Sequence, residues 1–196
     1  MREVELKAVV DDLALRRRNI ENAGAKLTYE GMLLDRRYDH ASGDLARRDE
    51  VLRVRRYESD QPTRTYLDWK GATEIRDVYK TREEISTQVD DFAAIEQLLT
   101  RLGYIVTMDI ERQIAQYELN GAVIRFESYP RMDVLVEVEG SPETIENAVQ
   151  ALGIARGTFT ADRLNAFVER FERRTGVIAA ISRSELAGIP SQNAAG

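Results

Sequence analysis

Glu3-Val4-Glu5-Leu6-Lys7 alternates without a break. In an extended chain Glu3, Glu5 and Lys7 fall on one side, and Val4, Leu6 and Ala8 on the other. The apolar side is what a strand buries; the opposite side carries only charge. The same sorting returns near the other end in Val134-Leu135-Val136-Glu137-Val138-Glu139, where Glu137 and Glu139 oppose Val134, Val136 and Val138. Between them, Arg53 and Arg55 oppose Leu52 and Val54. Tyr66, Asp68 and Lys70 oppose Leu67 and Trp69, and Arg125 and Glu127 oppose Ile124 and Phe126. Arg82 and Glu84 against Glu83 and Ile85 repeat the pattern less cleanly.

Working outward, alternation predicts strands over Glu3–Val9, Leu33–His40, Val51–Tyr57, Arg64–Lys70, Val78–Thr87, Ile110–Leu119, Ala122–Tyr129 and Asp133–Glu139. Asn120-Gly121 is a hairpin signal, because both residues accept the positive φ of a type I′ turn. Helical spacing predicts four helices: Asp11–Ala23, Asp91–Leu102, Ser141–Leu152 and Thr160–Phe171. Three of these are followed at or near their ends by Gly24, Gly103 and Gly153. The fold class expected is α+β, with about eight antiparallel strands and the helices packed on the sheet's apolar face. Residues 1–175 are expected to form one domain, and residues 176–196 a flexible tail.

In one sheet, the second face would gather six acids (Glu3, Glu5, Glu84, Glu127, Glu137, Glu139) and seven bases (Lys7, Arg53, Arg55, Lys70, Arg82, Arg112, Arg125). An open sheet would expose that face to water. A closed barrel of about eight strands would enclose it as a charged tunnel, and closure also removes the edges that invite aggregation. Clustered carboxylates raise one another's pKa unless a cation sits among them, and Mg²⁺ or Mn²⁺ accepts such hard oxygens. Clustered Arg and Lys call for a polyanion, and guanidinium forks match phosphate oxygens.

Composition removes other classes. The chain has 196 residues, no Cys and one His, so disulfides, thiolate metal sites, a Cys nucleophile and multi-His metal sites are all excluded. His40 reads as a loop or strand-end residue, whereas Tyr38 and Tyr66 could line the tunnel or pack at its mouth. The net charge of −6 speaks against general nucleic-acid binding, which draws on excess Lys and Arg. No apolar run reaches a spanning length and no signal peptide is visible, so a cytoplasmic protein is expected.

Taken in order, these motifs resemble the CYTH superfamily, the triphosphate tunnel metalloenzymes. Glu3-Val4-Glu5-Leu6-Lys7 has its ExExK form, and Arg36-Arg37-Tyr38-Asp39-His40 is similar to its Y-F-D-T stretch. Asp49-Glu50-Val51-Leu52-Arg53-Val54-Arg55 resembles A-L-R-x-R, Leu67-Asp68-Trp69-Lys70-Gly71 resembles L-T-x-K-G, and Arg82-Glu83-Glu84 resembles R-x-E. Val134–Glu139 matches the closing F-x-E-I-E strand. The resemblance covers about residues 1–172 and implies an eight-stranded tunnel with divalent-metal chemistry on a triphosphate.

It also implies roles. Glu3, Glu5, Glu127, Glu137 and Glu139 would hold metal, with Glu5, Lys7 and Glu139 catalytic. Lys7, Arg53, Arg55, Lys70, Arg82, Arg112 and Arg125 would bind phosphates, and Glu84 would support them. This chain departs from the family at Glu127, where Asp is usual, at Ser86, where Glu is common, and at Ile110, often a Lys. Three functions follow: a metal-dependent triphosphatase, a class IV adenylyl cyclase, or a polyphosphate-binding module without catalysis. The triphosphatase is favoured because no nucleoside pocket is evident. The expected partner is a small-molecule triphosphate, with no nucleic acid and no membrane; a homodimer is the one protein assembly entertained.

Overall fold

The chain closes on itself through its first strand. The computed structural model describes residues 2–188, with side chains from Val4 onward, and in that span β1 (Arg2–Val9) pairs antiparallel on both sides. The other strands are β2 (Lys26–Asp39), β3 (Val51–Glu58), β4 (Arg64–Lys70), β5 (Glu74–Arg76), β6 (Tyr79–Val89), β7 (Ile105–Leu119), β8 (Ala122–Ser128) and β9 (Leu135–Glu139). Their order is β1-β9-β8-β7-β2-β3-β4-β6, and β6 returns to β1 with Glu5 opposite Lys80. Eight strands therefore make the expected closed antiparallel barrel. The ninth, β5, extends the wall by pairing Tyr79–Thr81 of β6 beyond the point where β4 ends.

Leu119-Asn120-Gly121-Ala122 is the predicted hairpin, with Asn120 at φ 48° and Gly121 at φ 85°. Strands β2 and β7 run longer than alternation indicates, to 14 and 15 residues. The extra part of β2, Lys26 to Met32, is held by the expected part of β7 (Lys26↔Glu118 to Met32↔Gln113), and the extra part of β7, Ile105 to Asp109, by the expected part of β2 (Asp39↔Ile105 to Arg36↔Asp109). That is a tertiary stabilisation that local pattern does not report.

Helices α1 (Leu13–Asn22) and α4 (Pro142–Leu152) cover the outer face of β1, β7, β8 and β9. There Leu6, Ile20, Ile124, Val138, Ile145 and Leu152 are fully buried. The short α2 (Asp44–Arg47) follows β2, and α3 (Phe92–Arg101) sets Leu99 against Tyr38 and Val54. Side-chain caps start three of these helices: Asp12 accepts from Leu15 N at 2.9 Å, Asp91 from Ala94 N at 2.9 Å and Ser141 from Thr144 N at 3.2 Å.

α5 (Leu164–Thr175) departs from expectation in start and place. Thr160 does not cap it, because its N–H and C=O pair with the C=O and N–H of Lys7 at 2.8 and 2.9 Å. Nor does the helix lie on the outer wall. Leu164 and Phe167 pack on Ile110 and Leu135, which share the inward parity of Arg112 and Glu137. α5 thus stoppers one end of the barrel, and the two inward apolar residues are its seat.

The segment after Gly176, read from sequence as loose, packs as far as it is described. β8 pairs with β7 only from Gln113 onward, leaving the earlier edge of β7 without that neighbour. Ile181 C=O accepts there from Glu111 N at 2.8 Å, while Ala180 pairs with Arg131. Ile181 joins the α5 cluster, and α6 (Arg183–Leu186) follows. Residues 189–196 lie outside the described residues.

Candidate active site

The barrel interior is a cavity of about 530 Å³, within the range of small-molecule sites. Strand parity alone directs the charges into it, since each strand's alternate residues must point inward once the sheet is closed. Glu5, Lys7, Arg53, Arg55, Lys70, Arg82, Glu84, Arg112, Arg125, Glu127, Glu137 and Glu139 all line this one cavity. The Glu3 side chain lies outside the described residues; its backbone pairs with Arg82.

β1 and β9 form the acidic wall. Glu5 stands opposite Glu139, and Lys7 opposite Glu137. Lys7 Nζ lies 2.6 Å from Glu137 Oε2 and 3.9 Å from Glu5 Oε1. Lys80 caps Glu5, and Arg125 Nη1 reaches Glu137 Oε1 at 2.6 Å. Burial pushes Glu137 upward, but Lys7 and Arg125 outweigh it and hold the carboxyl well below the usual range. Glu5 is also held low: Lys7 and Lys80 together overcome its burial and the repulsion of Glu137. Lys7 is pulled down by burial and pushed further up by Glu137 and Glu5, so it stays an ammonium.

The basic wall is β3, β4, β6 and β7. Arg53 reaches Asp68 at 3.2 Å, Asp35 at 3.3 Å and Glu84 at 3.4 Å. Arg55 donates from Nη2 to Asp68 Oδ1 at 3.0 Å, and Lys70 Nζ lies 3.6 Å from Glu84. Glu84 therefore stands among the bases Arg53, Arg55 and Lys70. Arg112 Nε donates to Glu127 Oε1 at 2.9 Å, and the Tyr129 hydroxyl donates to Oε2 at 2.7 Å. Both oxygens of Glu127 are thus engaged by neighbours, as both oxygens of Glu137 are by Lys7 and Arg125. Arg82 donates from Nε to the Gly71 carbonyl at 2.6 Å and from Nη2 to the Asp49 carbonyl, so part of its charge clasps the wall.

Sequence reasoning missed Lys80, although it shares the inward parity of Arg82 and Glu84 that should have found it. Asp35 and Arg37 were missed because Leu33-Leu34-Asp35-Arg36-Arg37 pairs like with like and hides which face points inward. Tyr38 turns outward, donating to Glu96 Oε1 at 2.8 Å; Tyr66 lines the cavity with Tyr57, their rings edge to face at 5.8 Å. His40 stacks on Tyr104 at a strand end, outside the cavity.

No three acidic or histidine side chains among the described residues are gathered closely enough to cage a metal ion. The donor chemistry nevertheless fits a hard divalent cation: Glu5, Glu137 and Glu139 present carboxylate oxygens from facing positions of one strand pair, with lysines supplying the cationic charge there.

The fold and site together define a closed antiparallel barrel with a carboxylate-rich wall facing a guanidinium-rich one. The chain belongs to the CYTH domain family, whose model matches residues 1–154. It is 24% identical over 152 residues to "Putative adenylate cyclase MJ0240" of Methanocaldococcus jannaschii, covering 78% of this chain and 84% of that protein. The fold is shared with PH1819 of Pyrococcus horikoshii (TM-score 0.72, 23% identity), over 86% of this chain and 99% of the other. It is shared too with the Hippeastrum protein HpAC1 (TM-score 0.61, 16% identity, 89% and 96% covered), described as a "putative adenylyl cyclase" that "reveals a dominant triphophatase activity". Among the described residues no helix is long and apolar enough to cross a membrane. α5 and the segment after it lie beyond the family match.

Proposed function

We propose that the protein is a divalent-metal-dependent hydrolase of a small molecule carrying a triphosphate: inorganic triphosphate, a nucleoside triphosphate or thiamine triphosphate. The observation that carries this reading is the facing of two walls in one cavity, Glu5, Glu137 and Glu139 against Arg53, Arg55, Lys70 and Arg112. Such an arrangement suits phosphoryl transfer, where catalysis is chiefly positioning and neutralisation of phosphate charge.

Glu5, Glu137 and Glu139 would hold Mg²⁺ or Mn²⁺, with Glu3 the fourth residue the family pattern assigns; the bound cation supplies Lewis-acid neutralisation and a nucleophilic water. Arg53, Arg55 and Lys70 bind phosphate oxygens from the opposite wall. Lys7, kept charged by Glu137 and Glu5, acts as an electrostatic clamp and not as a base. Arg112 and Arg125, whose protons are held still more firmly by Glu127 and Glu137, bind as permanent cations. The α5 stopper excludes water from one end of the cavity.

A second reading, cyclisation of ATP to cyclic AMP with release of pyrophosphate, is favoured by Tyr57 and Tyr66, which give a nucleobase aromatic surface within the same cavity. The test is incubation of the full chain with Mg²⁺ or Mn²⁺ and, separately, inorganic triphosphate, ATP and thiamine triphosphate, followed by assay of phosphate, pyrophosphate and cyclic AMP. Phosphate release supports the hydrolase. Cyclic AMP with stoichiometric pyrophosphate overturns it in favour of the cyclase, and saturable binding without turnover reduces the protein to a binding module.

A further inference from the structure

Within the tunnel most cationic groups are satisfied by the protein itself, but Arg37 of β2 is not. Its nearest carboxylate contact is Asp35 Oδ1 at 3.9 Å from Nε, too long for a hydrogen bond, and that buried Nε has no hydrogen-bond partner. Asp35 is shared: its Oδ2 lies 3.3 Å from Arg53 Nη1 and 3.7 Å from Arg112 Nη1, while its Oδ1, the oxygen nearest Arg37, is buried without a hydrogen-bond partner, as is Arg112 Nη1. Three guanidiniums thus surround one carboxylate, and a nitrogen of two of them, Arg37 Nε and Arg112 Nη1, stands near it without closing a hydrogen bond. A buried donor left without an acceptor destabilises the fold, more so when it is charged, so a ligand that accepts from it recovers that loss.

Burial and the repulsion of Arg53 and Arg112 pull Arg37 below the ordinary arginine range despite Asp35, opposite to the direction found for Arg112 and Arg125. Arg37 also keeps 29% of its side-chain surface accessible, against 10% for Arg53 and 8% for Arg112. It lines the cavity. The β2–β7 register shifts between Arg37 and Tyr38, a bulge of the kind that re-aims a side chain.

Its position sets which part of a ligand it meets. Arg37 pairs across the sheet with Met108 and Arg53, and Met108 packs at the margin of the α5 seat. The arginine therefore stands at the stoppered end, where a chain of phosphates has to finish. We infer that Arg37, with Arg112 Nη1, forms an anion subsite for the terminal phosphoryl group of the substrate, which selects a phosphate chain with a free end over one esterified at both ends. This rests on the triphosphate reading above and assigns a direction to it: the free phosphate lies toward α5, and any organic end toward Tyr57 and Tyr66.

The test is calorimetric titration of the full chain in EDTA, so that neither turnover nor metal enters. The ligands are inorganic tripolyphosphate, which has free ends, and diadenosine triphosphate, which has none. Wild type is expected to prefer tripolyphosphate. Arg37→Gln should weaken tripolyphosphate binding at least ten-fold and leave diadenosine triphosphate within two-fold, while Arg37→Lys, keeping charge without the Nε donor, should fall between. If Arg37→Gln fails to fold, the Arg37 Nε–H resonance of the wild type carries the test: slowed solvent exchange on adding tripolyphosphate supports the subsite. Equal weakening of both ligands, no weakening, or no slowing of Nε–H exchange means that Arg37 is only a structural partner of Asp35. If wild type binds neither ligand, the triphosphate reading falls with it.

Discussion

Ile110 of β7 and Asp35 of β2 face each other as cross-strand partners, and the border between stopper and charged cavity runs between them. Asp35 belongs to the guanidinium network, whereas Ile110 is buried against Leu135, Leu164, Phe167 and Ile181. The residue that looks in sequence like a lost phosphate contact is, in the fold, the floor on which α5 rests.

Ile110→Lys, which restores the basic residue frequent in the family, is accordingly expected to harm. A lysine there would put an ammonium into the apolar seat, beside Arg37 and Arg112, with one carboxylate already shared among three guanidiniums. Stability should drop by about 2 kcal/mol or more. Limited proteolysis should then cut within residues 155–188 first. Denaturant unfolding and mapping of the first cleavage check this; a variant as stable and as resistant as wild type would show that the seat is not needed.

Lys7 is the cation that both Glu5 and Glu137 depend on. Lys7→Met keeps much of the volume but leaves Glu137 with Arg125 alone, and removing one partner of a buried pair costs about 3–5 kcal/mol. The loss should be largest near neutral pH and shrink as the carboxyls protonate below pH ~4. Thermal melts of wild type and variant from pH 3 to 8 measure it directly.

Much of this was legible beforehand because closure makes parity decisive: once eight strands form a ring, an alternating Glu or Arg has only two directions to point. Glu137, Arg53 and Arg125 could be placed that way. Parity failed in β2, where Arg36-Arg37 follows Leu33-Leu34 and a bulge changes the phase, so the Asp35–Arg37 network was invisible. It failed differently for α5. Leu164 and Phe167 have the spacing of any amphipathic helix, and nothing local tells whether the apolar stripe covers a wall or stops a tunnel. Partner pairing also hid the full lengths of β2 and β7.

Asp35 contributes to the acid limb of stability. Burial would raise its pKa, but Arg53, Arg37 and Arg112 hold it well below the ordinary carboxylate value. A depressed folded-state pKa gives stability that is complete above the unfolded value of about 4 and is lost as pH falls through the folded one. Wild type should therefore lose stability steadily below pH ~4. Asp35→Asn should be less stable at pH 7 and show a shallower acid slope, so that the gap between the two melting curves narrows progressively as pH falls below ~4. Parallel curves would mean that the aspartate is not the linked group.

Glu5→Gln separates chemistry from folding. The amide keeps the shape but removes the charge that pairs with Lys80 and faces Lys7. Metal-dependent phosphate release from tripolyphosphate should fall at least a hundred-fold, about 3 kcal/mol in barrier. The stability loss should be smaller at high pH for a definite reason. Burial already pulls Lys80 below the usual lysine range, with Glu5 opposing; without Glu5 it drops further and the buried amine sheds its proton. A lysine with a depressed folded-state pKa penalises the fold at low pH and ceases to do so as pH rises toward its unfolded value near 10. The gap in Tm between wild type and Glu5→Gln should consequently narrow from pH 6 to pH 10. A gap constant across that range would show that Lys80 finds another partner, and undiminished phosphate release would remove Glu5 from the catalytic set.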